Sequence, residues 1–389
     1  MSKKNHIILI VIVLIITIST QTFSMIKESN TIVLEFGMFS GSNWDVAKAD
    51  SYINIDKAIE RFEKEHKNVK IHYSSGIRKD DYSEWLSKKV LQGETPDVFM
   101  ILSNDFNEFA SLGILMDLEE LINNDADFNP NAFFLTAFLS GEYQGTQYAL
   151  PYETVPTLMF VNKTLLQKEG ISIPNSDWTW DDLYEICRKV TKDFDGDGIL
   201  DQFGIYNYSW MDAARTNGAD LFDENKMEIN LSNPKVVEAV KFIKDLHTLN
   251  REQTVTQEDF DAGNVVFMPL SFAEYRTYKT YPYRMKKYLK FQWDCITFPA
   301  GKSGGNISEV NTLLMGISSK TVHKELAWEF LKLLTYDEDI QMDIFRYSQG
   351  ASVIKNVTRS QLAESILQEG MDESEKVIDN LLLSRVIEE

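Results

Sequence analysis

The feature that most narrows the fold is an alternation of short apolar runs with amphipathic helical stretches across the first hundred residues. "TIVLEFGMF" reads as a strand, and "INIDKAIERFEKEHKNVKIHY" carries Ile55, Ala58, Ile59 and Phe62 at helical spacing before alternating through Val69, Ile71 and Tyr73. A second helical stretch, Tyr82 to Leu91, leads through Gly93 and Pro96 to "DVFMIL", an apolar run as long as a strand buried on both faces. Strand, helix, strand, helix, strand predicts a doubly wound α/β lobe.

The rest of the chain repeats this grammar. "ALPYETVPTLMFVNKTLL" holds two strand-like runs interrupted by prolines, and "DWTWDDLYEICRKVTKD" reads as a helix opened by Thr179, with Asp182 completing an approximate capping box. A helix over Pro234 to Leu249 precedes the strand "NVVFMPL". With 389 residues, no sequence repeat and no long linker, two lobes of ordinary domain size joined by short crossing segments are expected.

Charge and cysteine content exclude several classes. The 39 basic against 59 acidic side chains leave a formal charge of -20, the wrong sign for a protein that tracks a nucleic-acid backbone. Cys187 and Cys295 could form one disulfide, but Cys187 sits mid-helix by pattern, which favours two buried thiols, and no CxxC motif is present. The opening "MSKKNHIILIVIVLIITISTQTFSM" places Lys3 and Lys4 before an apolar run from Ile7 to Ile18 and then small polar residues. That is the layout of a secretory signal over residues 1–24, with an uncleaved anchor as the alternative.

A family resemblance emerges from "ETPDVFMILSNDFNEFASLGILMDLEELI", "YALPYETVPTLMFVNKTLLQKEGI", "WTWDDLYEICRKVT", "GNVVFMPLSFAEY", "ITFPAGKSGG" and "TLLMGISSKTVHKELAWEFLKLLT". In this order the stretches resemble the extracellular solute-binding proteins of ABC importers, in the maltose-binding-protein-like class. The resemblance implies the type II periplasmic-binding-protein fold: α/β, two lobes, each a mixed sheet flanked by helices, with the ligand cleft at the hinge. Crossings are expected near Pro151, Pro299 and Arg346. Residues 25–151 with 300–345 would form the N-terminal lobe, and residues 152–299 with 346–389 the C-terminal lobe. The implied partners are an oligosaccharide and the permease subunits of a membrane importer, with the protein itself a monomer. It would be exported and held at the cell surface or released into a periplasm. No cysteine follows the signal to carry a lipid, unlike the pattern of Gram-positive members.

A sugar presents flat C–H faces and rings of hydroxyls, so its sites combine aromatic platforms with amides and carboxylates. Aromatics make up 12% of the chain, and several fall where the family's cleft loops lie. Asn43 and Trp44 follow the first strand, and Asp105 follows "DVFMIL", at the strand ends where α/β sheets bind ligands. Tyr152 and Glu153 adjoin the first expected crossing; Trp210, Arg215 and Asn217 follow "FGIYNY"; Phe272 and Tyr275 follow "VVFMPL". These ten are the expected ligand contacts, and core packing is the competing role for each aromatic. Trp178, Trp180 and Trp328 lie on or beside helices and are expected in the core.

"KDFDGDGILDQFG" places carboxylates at Asp193, Asp195, Asp197 and Asp201, with Gly198 at loop position six and the Ile199 carbonyl at seven. That order matches a calcium loop of the EF-hand type, but Gly204 stands where a bidentate glutamate belongs, and the following residues read as strand. A structural calcium is therefore expected, with Gln202 as a further ligand and a solvated Asx turn as the alternative. No organic cofactor is implied. A secreted polysaccharide hydrolase or lyase also needs carboxylates and aromatics in a cleft, and a peptide carrier could share the fold. The histidines form no HExxH and there is no serine elbow. "PAGKSGG" lacks a phosphate loop's first glycine, because Ile296 occupies that position.

Overall fold

The computed structural model describes residues 31–46, 51–74, 76–223, 228–279, 291–368 and 380–388. The expected signal, residues 1–24, lies outside them. Among the described residues no helix is long and apolar enough to cross a membrane.

The opening alternation folds as the pattern predicts. β1 (Ile32–Gly37), β2 (Val69–Tyr73) and β3 (Val98–Ile101) are parallel, with β1 between the other two. The helix Ser51–Glu65 buries Ile55, Ala58 and Phe62 along one stripe, and all four residues of β3 are buried. After a small hairpin of β4 (Glu142–Tyr143) and β5 (Thr146–Gln147), the chain enters β6 (Ala149–Asn162), which organises the rest of the molecule. The later strands are β7 (Phe203–Ile205), a second hairpin of β8 (Phe222–Asp223) and β9 (Glu228–Ile229), β10 (Val265–Ser271), β11 (Trp293–Ile296), β12 (Val310–Ile317) and β13 (Ala351–Ser352).

The fourteen residues of β6 serve two sheets. Ala149 to Pro156 pair antiparallel with β12, extending β2-β1-β3-β12, while Glu153 and Thr154 take β13 on the other edge. From Thr157 onward β6 pairs instead with β10 and β11, and β10 carries β7 in parallel. The exchange of partners thus falls at Pro156–Thr157, several residues after Pro151. Pro151 has no N–H for the ladder, and the register with β12 slips there: Leu313 faces Glu153 but Leu314 faces Pro151, which leaves Tyr152 as the extra residue of a bulge.

The returning segments sit differently from the sequence reading. After β11, the stretch from Ala300 to Gly304 still packs on the second lobe: Ala300 bridges Thr179, and the Gly301 N–H donates to the Thr216 carbonyl. The passage back is completed near Glu309, whose carbonyl accepts from Thr157 N–H at the partner exchange. The chain beyond Arg346, expected with the second lobe, instead joins the first. β13 pairs with Glu153 and Thr154, Phe133 bridges Ile354, and the helix Asn380–Glu388 packs on the helix Leu135–Leu139. Its apolar residues Leu383, Val386 and Ile387 need a face to cover, and the first lobe provides it.

Local signals hold in detail. Thr179 and Asp182 form a reciprocal capping box, as do Ser209 with Asp212 and Thr256 with Asp259. Trp178, Trp180 and Trp328 are buried. Both cysteines are buried and outside any disulfide. Gly204 lies against Cys187, where an added Cβ would collide with the cysteine side chain, so its place in β7 reflects close helix–strand packing.

Candidate functional site

The carboxyl ends of β1 and β3, the start of β12 and the middle of β6 converge on one depression of about 360 Å³. Asn43, Trp44 and Lys79 form one side, Ser103 and Asn104 follow β3, and Asn311 opens β12. Ser271, the last residue of β10, reaches the same depression from the second sheet. The depression therefore lies where the two lobes meet, at the strand ends expected to carry a ligand. Asn43 and Trp44 are where the sequence placed them. Asp105 lies just outside, taking the Ser83 hydroxyl at 2.6 Å and preceding the helix Phe106–Ser111.

Charge at this site is locally balanced. Lys79 Nζ donates to the Asn43 carbonyl at 2.6 Å and to both carboxylate oxygens of Asp45 at 3.0 Å. Those contacts fix the loop that carries Trp44, in which Asp45 takes a left-handed φ of 56°. Toward the second lobe, Arg215 stands 3.6 Å from Asp212 and 3.4 Å from Glu309. Trp210 and Arg215 are partly exposed on the helix Trp210–Thr216, and the Glu309 contact brings that helix to the returning segment two residues before Asn311.

Five of the expected contacts are internal. Tyr152 is buried, its hydroxyl accepting from the Asn54 amide at 2.8 Å, and burial pushes its phenol pKa up. Asn217 is fully buried: its amide donates to the Lys235 carbonyl and to Glu238, both at 3.0 Å, and its oxygen accepts from Ser303 N–H at 3.1 Å. Phe272 and Tyr275 stack on each other with centroids 6.2 Å apart, and Tyr275 meets Trp293 edge-on. Both rings are buried in the large core, because the helix Phe272–Lys279 turns them inward after β10.

Glu153 is the fifth, buried behind the depression. It accepts from the Ser348 hydroxyl and from Gly350 N–H at 2.6 Å. Arg276, half-buried, donates to the carbonyls of Phe345, Ser348 (2.6 Å) and Gly350 (2.9 Å), closing the end of the helix Glu338–Tyr347. Burial raises the Glu153 carboxyl, while Ser348, Trp44, Gly350 and Arg276 pull it back; burial lowers Arg276 to about 10, opposed by Glu153. The Trp44 indole N–H is turned toward the same carboxylate, shielded from solvent and short of a close hydrogen bond. One edge of Trp44 thus faces a buried charged cluster while its ring borders the depression.

Lys79, Ser103, Asn104, Ser271 and Asn311 were missed by the sequence reading. Ser103 and Asn104 immediately precede Asp105 and share its loop signal, whereas Lys79 and Asn311 reach the site only through tertiary folding. The "PAGKSGG" glycines also have a packing role. A Cβ at Gly301 would meet Asn217, and one at Gly304 would collide with the Thr216 carbonyl.

In the aspartate loop, Asp193, Asp195 and Asp197 each offer a carboxylate oxygen, all within 4.8 Å of one another. Asp193 accepts from Gly196 and Gly198 N–H, and Asp197 accepts from Ile199 N–H at 2.7 Å. Asp201 takes the Phe194 N–H at 2.7 Å and does not join the cluster. Gln202 points inward, donating to the Val190 carbonyl at 2.7 Å and to Glu169 at 3.0 Å, so it is not placed as a ligand.

The bacterial extracellular solute-binding protein model matches residues 49–340. An uncharacterized lipoprotein in the oleD 5' region of Streptomyces antibioticus is 23% identical over 311 residues, 73% of this chain. The chain spans 64% of that relative's length. A cyclic alpha-maltosyl-1,6-maltose binding protein from Arthrobacter globiformis superposes with a TM-score of 0.73 at 14% identity, covering 92% of this chain and 86% of that one. An ABC substrate-binding protein from Listeria monocytogenes in complex with cycloalternan gives 0.64 at 20% identity, covering 90% and 87%. These likenesses confirm the two-lobed type II fold.

Proposed function

The chain belongs to the bacterial extracellular solute-binding protein family, and from that premise we propose that it captures a neutral oligosaccharide and delivers it to the permease of an ABC importer. The observation that carries this reading is Trp44, an aromatic platform bordering a depression whose uncharged polar groups are the amides and hydroxyls of Asn43, Ser103, Asn104, Ser271 and Asn311, and whose charged lining, Lys79 and Asp45, is paired with itself. The two cations beside it, Lys79 and Arg215, are already paired with carboxylates, which suits an uncharged cargo. The Listeria protein in complex with cycloalternan and the Arthrobacter cyclic alpha-maltosyl-1,6-maltose binding protein support a carbohydrate.

Capture needs no bond chemistry. A saccharide stacks on Trp44 in the first lobe, the second lobe closes with Ser271, Trp210 and Arg215, and the closed shape is what a permease reads. The protein acts as a monomer outside the cytoplasm.

The test is calorimetric melting against neutral oligosaccharides, amino acids and short peptides. A ligand present at about one hundred times its Kd adds about 2.7 kcal/mol. Stabilisation by an oligosaccharide recovered intact supports the proposal. Stabilisation by peptides alone, or consumption of the sugar, overturns it.

We also propose that the aspartate loop holds a structural calcium through Asp193, Asp195, Asp197 and the Ile199 carbonyl. The donor set supports this: hard, anionic oxygens already gathered on a turn whose N–H groups are satisfied. The ion would offset repulsion among the carboxylates and pin the end of the helix Trp180–Val190 to β7. Asp201 contributes by fixing Phe194.

A further inference from the structure

A second cavity, of about 320 Å³, lies wholly in the second lobe and shares no lining residue with the depression at the lobe junction. It opens between the end of β7, the carboxyl-terminal half of the helix Pro234–Leu249 and the turn that follows that helix. Ile243 and Leu246 give it an apolar wall, and Tyr206, stacked on Phe260 with centroids 6.4 Å apart, stands at the end of β7.

Asn250 makes this cavity more than a gap in the packing. The residue is 93% buried, being 7% exposed, and it lines the cavity, yet its side-chain amide makes no hydrogen bond to any described residue. Only its backbone is engaged, with the N–H donating to the His247 carbonyl and the carbonyl accepting from Gln253 N–H. Neither amide atom is among the side-chain atoms sealed from solvent without a partner, so both are open to the cavity. A ligand in the cavity can therefore take both its donor and its acceptor. The Tyr206 hydroxyl is likewise without a partner among the described residues.

We propose that this cavity is a second ligand site, taking a neutral polyhydroxylated molecule the size of a single sugar ring. An amide donates and accepts at once, which matches adjacent hydroxyls, and the wall of Ile243 and Leu246 beside the Tyr206 ring matches the C–H face of a pyranose. No lysine or arginine lines the cavity, and its one histidine, His247, is exposed at the rim, so the interior offers an anion no fixed cation. Its one carboxylate, Glu252, is exposed at the rim, where it accepts from a hydroxyl. Gln253 links the cavity to the aspartate loop, since its side chain accepts from Leu200 N–H at 2.8 Å and donates to the Gly198 carbonyl at 3.0 Å. Occupancy of the cavity therefore bears directly on the loop.

The experiment is heteronuclear NMR of the side-chain amides during titration with D-glucose, D-galactose, D-mannose and myo-inositol. Glucosamine and glucuronate serve as charged controls. The expected result is a saturable shift of the Asn250 amide with at least one neutral probe. That binding weakens about tenfold in Asn250→Leu, the loss of one hydrogen bond at a buried polar group, about 1.4 kcal/mol. Tyr206→Phe, which keeps the ring, weakens it as well, and Trp44→Ala leaves it unchanged. The proposal falls if no neutral probe moves Asn250, if only a charged probe does, or if both cavity variants bind as the wild type does. Loss of all sugar binding in Trp44→Ala would also overturn it, while leaving capture at the lobe junction intact.

Discussion

Glu153 and Gly350 meet at 2.6 Å, carboxylate to backbone N–H, although they lie 197 residues apart in the chain. A Cβ at Gly350 would collide with that same carboxylate. Neither side can give way easily: Glu153 is held in β6 and by Ser348, and the Gly350 carbonyl by Arg276. Gly350→Ala should therefore destabilise the fold by about 1–3 kcal/mol, the cost of overpacking a filled interior. Denaturant midpoints at unchanged slope would establish it. An unperturbed midpoint would mean that the strand can move at this point.

The same carboxylate gives stability a pH signature. Burial raises the Glu153 pKa above its ordinary 4.5, so the folded protein holds that proton more tightly than the unfolded chain. The contribution is full below the unfolded value and is lost as pH climbs through the raised folded value. Arg276, lowered to about 10, titrates above this window. The stability of the wild type minus that of Glu153→Gln should fall as pH rises from about 4 to about 8. A difference that rises with pH would show the carboxylate to be stabilised as the anion.

Asn217 should behave as a structural residue. Both sides of its amide are used, binding the end of one helix to the start of the next and to the loop at Ser303. Asn217→Ala strands those groups and should cost about 1–3 kcal/mol for each one left unsatisfied. Saccharide affinity, measured on the folded fraction, should stay within about twofold of wild type, since less than 0.5 kcal/mol is at stake. A loss of affinity without a loss of stability would restore it to the ligand.

How far the sequence revealed the fold depended on the range of the signal. The helix over Pro234 to Leu249 and the capping box at Thr179 were legible because proline, threonine and aspartate act within one helical turn. The service of β6 to two sheets was not, because its partners lie more than 100 residues away and its run of fourteen reads only as strand. At the site, Asn43 and Trp44 were found because a polar loop after a strand marks a strand end. Phe272 and Tyr275 follow a strand just as closely, but the helix that begins at Phe272 turns both rings into the core. Lys79 had no local mark at all. It matters because it clamps the Trp44 loop from another part of the chain.

Trp44→Ala should reduce oligosaccharide affinity more than any other single change at the lobe junction. Removing a tryptophan that anchors a ligand costs about 2 kcal/mol or more, roughly thirtyfold in Kd. The fold should tolerate the change, because the ring is only partly buried and its indole N–H completes no close hydrogen bond. Titration calorimetry of the variant with the stabilising sugar is the check. Unchanged affinity would move the stacking platform to Trp210.

Calcium removal tests the aspartate loop separately from sugar capture. Asp193, Asp195 and Asp197 are drawn together with few nearby cations: Arg251 stands 3.6 Å from Asp193, and no salt bridge of 4 Å or less is found for Asp195 or Asp197 among the described residues. Calcium at about one hundred times its Kd would add about 2.7 kcal/mol. At about 2–4 °C per kcal/mol for a domain of 150–250 residues, chelation should lower Tm by about 5–10 °C. Asp195→Asn should abolish the response to added calcium while leaving oligosaccharide affinity at the lobe junction in place, since the loop does not line that depression. An identical Tm with calcium and with chelator would reduce the loop to an Asx turn whose carboxylates serve only their own backbone.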